Sequence, residues 1–311
     1  MRKFLPEGRL INTDENTEIL RCAELLTEAY HEGRILEAKA VLCDARHNLI
    51  VDLAGTFCVM RREEAAIGIA EGSVKEIAII SRVNKPVCFK IIGFERDNTG
   101  KSMPVLSRRA AQQDCTEQYI SKLISGDVID ARVTHLEQFG AFADIGCGIS
   151  SLIPIDTISV SRISHPRDRF YPGQDIRAVV CGIDAEGRVC LTHKELLGTW
   201  EQNAAMFNAG ETVSGIVRSV ESYGVFVELA PNIAGLAEVH ERAKPGQLAS
   251  VYIKNIIPEK MKVKLIIIDT FDEKYTYRQQ KYYVDDDFIS HWRYSPDCCD
   301  KIIESIFSDG Y

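Results

Sequence analysis

Phe139-Gly140-Ala141-Phe142 and Tyr223-Gly224-Val225-Phe226 are two copies of one motif. Each copy follows a glycine at the same distance, Gly126 in the first and Gly210 in the second. The offset between the copies is therefore 84 residues at both points (210 − 126 and 223 − 139). Because spacing and residue type recur together, the repeat indicates a structural module that the chain uses at least twice.

The two copies remain similar beyond the motif. Pro172-Gly173-Gln174 and Pro245-Gly246-Gln247 occupy equivalent turns, and the offset falls to 73 (245 − 172) because the first copy carries an arginine-containing insertion at 161–170. Each copy contains about five short strand candidates within roughly 70 residues, a pattern typical of a small closed barrel of the OB kind. The sequence therefore predicts a mainly β protein with linking helices, built from tandem five-stranded OB-fold antiparallel barrels.

Both copies resemble the S-one RNA-binding domain, an OB-fold repeat family of a bacterial small-subunit ribosomal protein. The first copy carries the family's core pattern at Phe139–Ile145 and its closing pattern at Asp184 and at Arg188–Thr192. The resemblance implies binding of single-stranded RNA, with mRNA as the expected ligand, and a role in translation on the small ribosomal subunit. It implies neither a cofactor nor a small-molecule substrate.

A third, degenerate copy is predicted upstream. Residues 33–41 resemble the family's opening strand, 49–55 the next strand, and 105–109 the closing strand with the start of a helix. His47-Asn48-Leu49-Ile50 stands where the aromatic pair is expected, which favours a structural role for this module.

Helical apolar spacing separates the modules. It predicts a helix at 16–31 that ends before Gly33, and two linker helices whose ends are followed by Gly126 and Gly210. After the last barrel the chain becomes acidic and aromatic, with Tyr275 and Tyr277, and Ser295-Pro296 predicts the start of a short helix. The predicted organisation is an N-terminal helix with the degenerate module at 1–106, a linker helix at 107–125, a module at 126–194, a linker helix at 195–209, a module at 210–269 and a C-terminal segment at 270–311.

Composition limits the function classes. A net charge of −8 over 311 residues argues against a broad basic face for duplex DNA. The ten cysteines include no Cys-x-x-Cys pair, which favours reduced, mostly buried thiols over disulfides or a metal site. No apolar run has the length of a signal sequence or a membrane span, and no catalytic motif occurs. We therefore expect a cytoplasmic protein without a membrane partner that is not an enzyme.

The aromatic pair has two possible roles. Phe139 and Phe142 either stack with bases on the outer face of the barrel or belong to its core, and the same alternatives hold for Tyr223 and Phe226. Because side chains alternate along a strand, residues three apart share a face only if a bulge intervenes, and Gly140 is the candidate.

The resemblance implies a binding surface, position by position. In the second module it comprises Phe139, Phe142, Pro154, Asp184 and Arg188, with proline at the family's histidine position. In the third module the same positions are Tyr223, Phe226, Glu238, Ile257 and Lys262. A carboxylate at the histidine position repels phosphate, which predicts weaker RNA affinity in the third module.

Two basic clusters are candidates for phosphate contact, although a solvated surface explains each of them equally well. The first comprises Arg162, His165, Arg167 and Arg169, and the second comprises Lys254, Lys260, Lys262 and Lys264. A different class of function also stays open. Barrels that have lost binding residues can serve as a protein-interaction scaffold.

Overall fold

A computed structural model describes residues 4–97, 99–272 and 281–307. The chain divides into two compact units. The first comprises the residues up to Leu123 together with 130–132 and 144–150, and the second comprises the rest. No helix among the described residues is long and apolar enough to cross a membrane.

The first unit is built on a five-stranded antiparallel sheet with the order β3-β2-β1-β4-β5. Its outermost strands β3 and β5 lie side by side but do not pair in the described part of the chain, so this module is a nearly closed barrel. Its elements are α1 (Asp14–Arg21), α2 (Ala23–Glu32), β1 (Leu36–Cys43), β2 (Leu49–Leu53), β3 (Thr56–Met60), α3 (Ile77–Ile80), β4 (Pro86–Arg96), β5 (Ser102–Ser107) and α4 (Arg108–Gln118).

The helix predicted at 16–31 is two helices. Cys22 adopts an extended conformation between α1 and α2, with φ −120° and ψ 123°. Ile19 from α1 and Ala29 from α2 are both buried in the core over the sheet, so the break lets each short helix turn its own apolar face inward. As predicted, α2 ends at Gly33, which has a left-handed φ of 62°.

Two buried carboxylates hold the N-terminal segment of the first unit. Glu37 accepts hydrogen bonds from the backbone nitrogens of Gly8, Leu10 and Ile11 at 2.7–2.9 Å. Glu7 pairs with the buried guanidinium of Arg108, with 2.6 Å between Oε1 and Nε. Sequence reasoning missed both, because nothing local distinguishes a buried glutamate from a solvated one.

Two closed barrels follow along the chain, with the strand orders β10-β8-β7-β6-β9 and β11-β12-β13-β15-β14. One parallel contact closes each barrel, between β8 and β10 and between β13 and β15, and the other pairs described are antiparallel. The predicted fold class is confirmed. The elements are β6 (Val128–Glu137), β7 (Gly140–Asp144), β8 (Ser150–Pro154), α5 (Ile155–Ile158), β9 (Asp175–Ile183), β10 (Val189–Thr192), α6 (Trp200–Ala204), β11 (Thr212–Glu221), β12 (Gly224–Ala230), β13 (Ile233–Ala237), β14 (Leu248–Ile257), β15 (Lys262–Phe271), β16 (His291–Arg293) and β17 (Glu304–Ile306).

The linker helices are shorter than predicted. The first, α4, ends at Gln118 and is followed by a 3₁₀ turn at Ile120–Lys122. The second reduces to a 3₁₀ turn at Lys194–Leu197 and the five-residue α6. Gly198 separates these two pieces because its φ is 83°, a left-handed value that ends the helical run.

The helix predicted after Ser295-Pro296 does not form. Strands β16 and β17 pair instead, and the Ser295 hydroxyl accepts the backbone N–H of Ile303 at 2.8 Å. Trp292 and Phe307 are buried in the core of the second unit, so tertiary packing overrides the local helix signal. Tyr275 and Tyr277 lie outside the described residues.

His193 joins the second barrel to the C-terminal segment. Its Nδ1 lies 3.0 Å from the carbonyl oxygen of Ile158, which only accepts, so Nδ1 carries the proton. Its Nε2 lies 3.2 Å from the hydroxyl of Tyr282. Burial lowers the pKa of His193 from 6.5 to about 4, and Arg169 adds to the effect. The folded state therefore holds this imidazole neutral.

We predict an acid-sensitive second unit. The lowered pKa of His193 contributes stability that is present above pH 6.5, and this contribution is lost as the pH falls to about 4. The loss amounts to about 3 kcal/mol, since each pKa unit is worth about 1.4 kcal/mol. Urea unfolding of the wild type and of His193→Gln at pH 7 and pH 4.5 measures it. A variant that loses stability on acidification as steeply as the wild type contradicts the assignment.

Candidate nucleic-acid interface

The aromatic pair of the second barrel begins in a tight turn. Phe139 lies in the turn between β6 and β7 and is 58% exposed, while Phe142 lies on β7 and is half-buried. The two ring centroids are 6.0 Å apart and the rings are nearly perpendicular, at 87°. The predicted bulge at Gly140 is not needed, because Phe139 precedes the strand and alternation does not apply to it. Gly140 instead allows close packing, since a Cβ there would lie 2.5 Å from the carbonyl oxygen of Ile153.

His135 extends the aromatic pair and was missed from sequence. Its ring stacks on Phe142 with 4.3 Å between centroids and 9° between planes. The repeat could have pointed to His135, because a tight turn before Phe142 places a residue of β6 opposite that ring. In the third barrel the equivalent turn places Ser219 opposite Phe226, and His135 is the residue 84 positions before Ser219. His135 and the two phenylalanines therefore form one aromatic surface.

Asp184 and Arg188 belong to the hairpin that joins β9 to β10. Asp184 Oδ1 accepts the backbone N–H of Arg188 at 2.8 Å, and its Oδ2 lies 2.7 Å from Arg188 Nε. These hydrogen bonds lower the pKa of Asp184. The Arg188 side chain also pairs with Glu186 and is 73% exposed. Asp184 thus shapes the hairpin and orients a guanidinium that solvent can reach.

The third barrel repeats the aromatic geometry. Tyr223 lies in the turn between β11 and β12 and is 66% exposed, and its ring centroid is 6.2 Å from that of Phe226, at 89°. Phe226 pairs with Leu236 on β13, and Leu236 pairs with Lys264 on β15. Because directly opposed residues share a face, Lys264 lies on the same side of the sheet as Phe226.

The remaining predicted positions of the third barrel are also located. Lys262 is exposed, two residues before Lys264, and pairs with Ile257 on β14. Lys254 and Lys260 are exposed near the same hairpin. Glu238 directly follows β13 and is exposed.

The family model of the S1 (S-one) RNA binding domain matches residues 122–194, which contain the second barrel. This stretch is similar to the S1 RNA-binding domain, and we call it the S1 domain. The resemblance seen in the motif Phe139–Phe142 is therefore confirmed.

The S1 domain lies within a longer similarity. The small ribosomal subunit protein bS1 of Staphylococcus aureus (strain COL) is 28% identical over 277 residues, 84% of this chain and 68% of that protein. The protein of the same name from Leuconostoc lactis is 31% identical, over 79% of this chain and 56% of its own length. A solved structure of a multidomain protein with nucleic acid binding domains from Streptococcus pneumoniae is 14% identical to this chain. The match has a TM-score of 0.26 and covers 76% of this chain and 74% of that one.

The insertion of the S1 domain separates its arginines. Arg162 and Arg167 are exposed, as a phosphate contact requires, and His165 Nδ1 accepts the backbone N–H of Arg167 at 3.1 Å. Arg169 is fully buried and lies 2.6 Å from Glu228 of the third barrel. The interpretation of Arg169 as part of a surface cluster is therefore wrong, because its guanidinium is enclosed with a carboxylate.

The ion pair of Arg169 belongs to a larger buried network. Glu228 also accepts from Arg218 at 2.8 Å, and Arg218 lies 3.1 Å from Asp168 of the insertion. Two cations and two carboxylates thus join the S1 domain to β11 and β12 of the third barrel. The buried end of the insertion, at Arg169, has a structural role. Arg162 and Arg167 are exposed to solvent.

Proposed function

We propose that this chain binds single-stranded RNA through the outer face of its S1 domain. In the cell the ligand is mRNA, and the protein acts in translation at the small ribosomal subunit in the cytoplasm. The observation that carries the proposal is the accessible aromatic surface of His135, Phe139 and Phe142 on the barrel. The names of the bacterial bS1 relatives support the translational role.

The chemistry of the surface favours single strands. Stacking requires a base whose face is free, and a duplex hides its base faces inside the helix. Arg188, in the hairpin between β9 and β10 of the same barrel, supplies an exposed guanidinium that pairs with Asp184 and Glu186. A net charge of −8 on the whole chain disfavours binding by a broad electrostatic field, so local stacking supplies most of the affinity.

We predict a moderate salt dependence of RNA binding. If about three to five phosphates are neutralised, the slope of log affinity against log salt concentration is about −2 to −3.5 for a single strand. Filter binding of a mixed-sequence single-stranded RNA at several salt concentrations measures it, with duplex DNA of the same length as the control. A slope near zero, or tighter binding of the duplex, would contradict the stacking mechanism.

A protein-interaction role is the second candidate, and the first unit favours it. At the position of the aromatic pair, the first unit has His47-Asn48-Leu49-Ile50. The outer face of its sheet exposes Leu42, Phe57 and Val59. Ile50 joins Leu42 and Val59 in one row across β1, β2 and β3. Absence of RNA binding by the full chain, with the fold intact, would favour this scaffold function for the whole protein.

A further inference from the structure

The outer face of the third barrel places an exposed carboxylate, Glu238, beside aromatic and apolar side chains. A second exposed carboxylate, Glu221 on β11, pairs with Gly224 of β12. Leu236 on β13 faces outward, whereas Ala237 is buried, and Glu238 continues the alternation as an exposed residue. Ala237 pairs with Val225 on one side and with Leu265 on the other. Glu238 follows Ala237 directly, while Gly224 precedes Val225 and Ile266 follows Leu265, so continuation of the two ladders by one residue brings Glu238 toward Gly224 and Ile266.

The neighbours of Glu238 form a surface suited to a base. Gly224 has no side chain, and Tyr223 in the adjoining turn is 66% exposed. On the other side Ile266 pairs with Tyr252, and both side chains are more than one-third exposed. Within 4–97, 99–272 and 281–307, the Glu238 carboxylate has no hydrogen-bond or ion-pair partner. Its acceptor oxygens are therefore available to a ligand on this face.

Carboxylate chemistry distinguishes the four RNA bases. Guanine presents N1–H and the N2 amine side by side on its Watson–Crick edge, so both oxygens of one carboxylate can accept at once. Adenine and cytosine each place an unprotonated ring nitrogen beside their amine, and that nitrogen repels a carboxylate. Uracil flanks its single N3–H with two carbonyl oxygens. Guanine is therefore the base whose edge matches Glu238.

Resting on the proposed RNA-binding function, we propose that Glu238 makes the third barrel selective for guanine. A guanine stacks on Tyr223 and directs its Watson–Crick edge to the Glu238 carboxylate. Lys264, on the same outer face as Phe226, is placed to contact the phosphate backbone.

Guanine recognition and simple repulsion predict opposite results. A carboxylate near the strand repels the phosphates of every RNA, so its removal alone strengthens binding of all sequences. A carboxylate that also reads guanine offsets this repulsion for guanine only. Glu238→Gln, which removes the charge and offers one acceptor and one donor, should therefore strengthen binding of a strand without guanine and weaken binding of a strand that contains it.

The test uses the full-length chain carrying Phe142→Ala, so that the S1 domain contributes less to the signal. Fluorescence anisotropy measures affinity for a short oligouridine and for the same strand with one central guanosine. With Glu238 present, the guanosine strand should bind about tenfold tighter, the discrimination typical of a bidentate base contact. Glu238→Gln should abolish that preference and bind oligouridine about twofold tighter.

Two controls sharpen the result. Inosine in place of guanosine lacks the N2 amine, and its strand should bind with intermediate affinity. Glu201→Gln makes the same charge change at an exposed residue of α6 and should leave the preference unchanged.

The outcomes separate this proposal from the RNA-binding function. Equal tightening of both strands by Glu238→Gln would overturn guanine recognition and leave RNA binding intact. Binding of both strands by the wild type but of neither in the Phe142→Ala background would exclude the third barrel from the interface. Failure of the wild type to bind either strand would overturn the proposed function itself.

Discussion

Glu228→Ala is expected to lower the free energy of unfolding of the second unit by about 3–5 kcal/mol, the cost of removing one partner from a buried ion pair. Glu228 is 4% exposed and pairs with Arg169, which is fully buried, and with Arg218. Without the carboxylate, the Arg169 guanidinium stays enclosed in the protein and loses the anion that lies 2.6 Å from its Nη2.

Urea unfolding monitored by tryptophan fluorescence measures this loss. The chain has two tryptophans, Trp200 and Trp292, and both are buried in the core of the second unit. Glu221→Ala, an exposed glutamate on β11, is the matched control and should change stability by less than about 0.5 kcal/mol. The double variant Arg169→Leu/Glu228→Leu should lose less than Glu228→Ala, because no buried charge is left unpaired. A loss below about 1 kcal/mol for Glu228→Ala would contradict the structural role of the pair.

Phe139→Ala and Phe142→Ala are each expected to weaken RNA binding by about 1–3 kcal/mol, the magnitude of one stacked base. Phe139 is 58% exposed, so its truncation should leave folding intact. Phe142 also supports His135, so its loss should remove a second ring from the surface.

Filter binding with single-stranded RNA measures both changes. Tyr171→Ala is the matched control, because Tyr171 is 62% exposed in the same S1 domain but lies in the turn before β9. It should keep the wild-type affinity. Unchanged affinity in both phenylalanine variants, with cooperative unfolding preserved, would remove this surface from the interface.

The barrels could be predicted from sequence because their signals are local and repeated. The glycine–aromatic motif, its 84-residue offset and the regular turns all report on short stretches of chain. The turn between β7 and β8 is also built from local contacts, since Asp144 Oδ1 accepts the N–H groups of Gly146 and Gly148 at 2.8 and 3.0 Å. Helix lengths were less predictable, because Cys22 and Gly198 interrupt apolar patterns that continue across them.

The helix that was predicted after Ser295-Pro296, and that does not form, shows where a local sequence signal is overridden. Ser295-Pro296 and the apolar spacing that follows favour a helix with Ile302 and Ile306 on its buried face, yet these side chains are 61% and 67% exposed. The segment instead buries Trp292 and Phe307 against the barrels. Burial of large aromatic rings outweighs a helix-start signal worth about 1 kcal/mol.

By itself, the sequence determined that two similar barrels exist and that each carries two aromatic residues three positions apart with a glycine after the first; it left open whether the rings are exposed. It did so because strand alternation, turn chemistry and repeat spacing act over a few residues. Only the tertiary structure decided that Arg169 is buried whereas Arg167 is exposed, and that His135 stacks on Phe142. The partner of Arg169 is Glu228, 59 residues away along the chain, so no local pattern connects the two. Burial raises the free-energy cost of an arginine charge far more than the choice between arginine and another cation does.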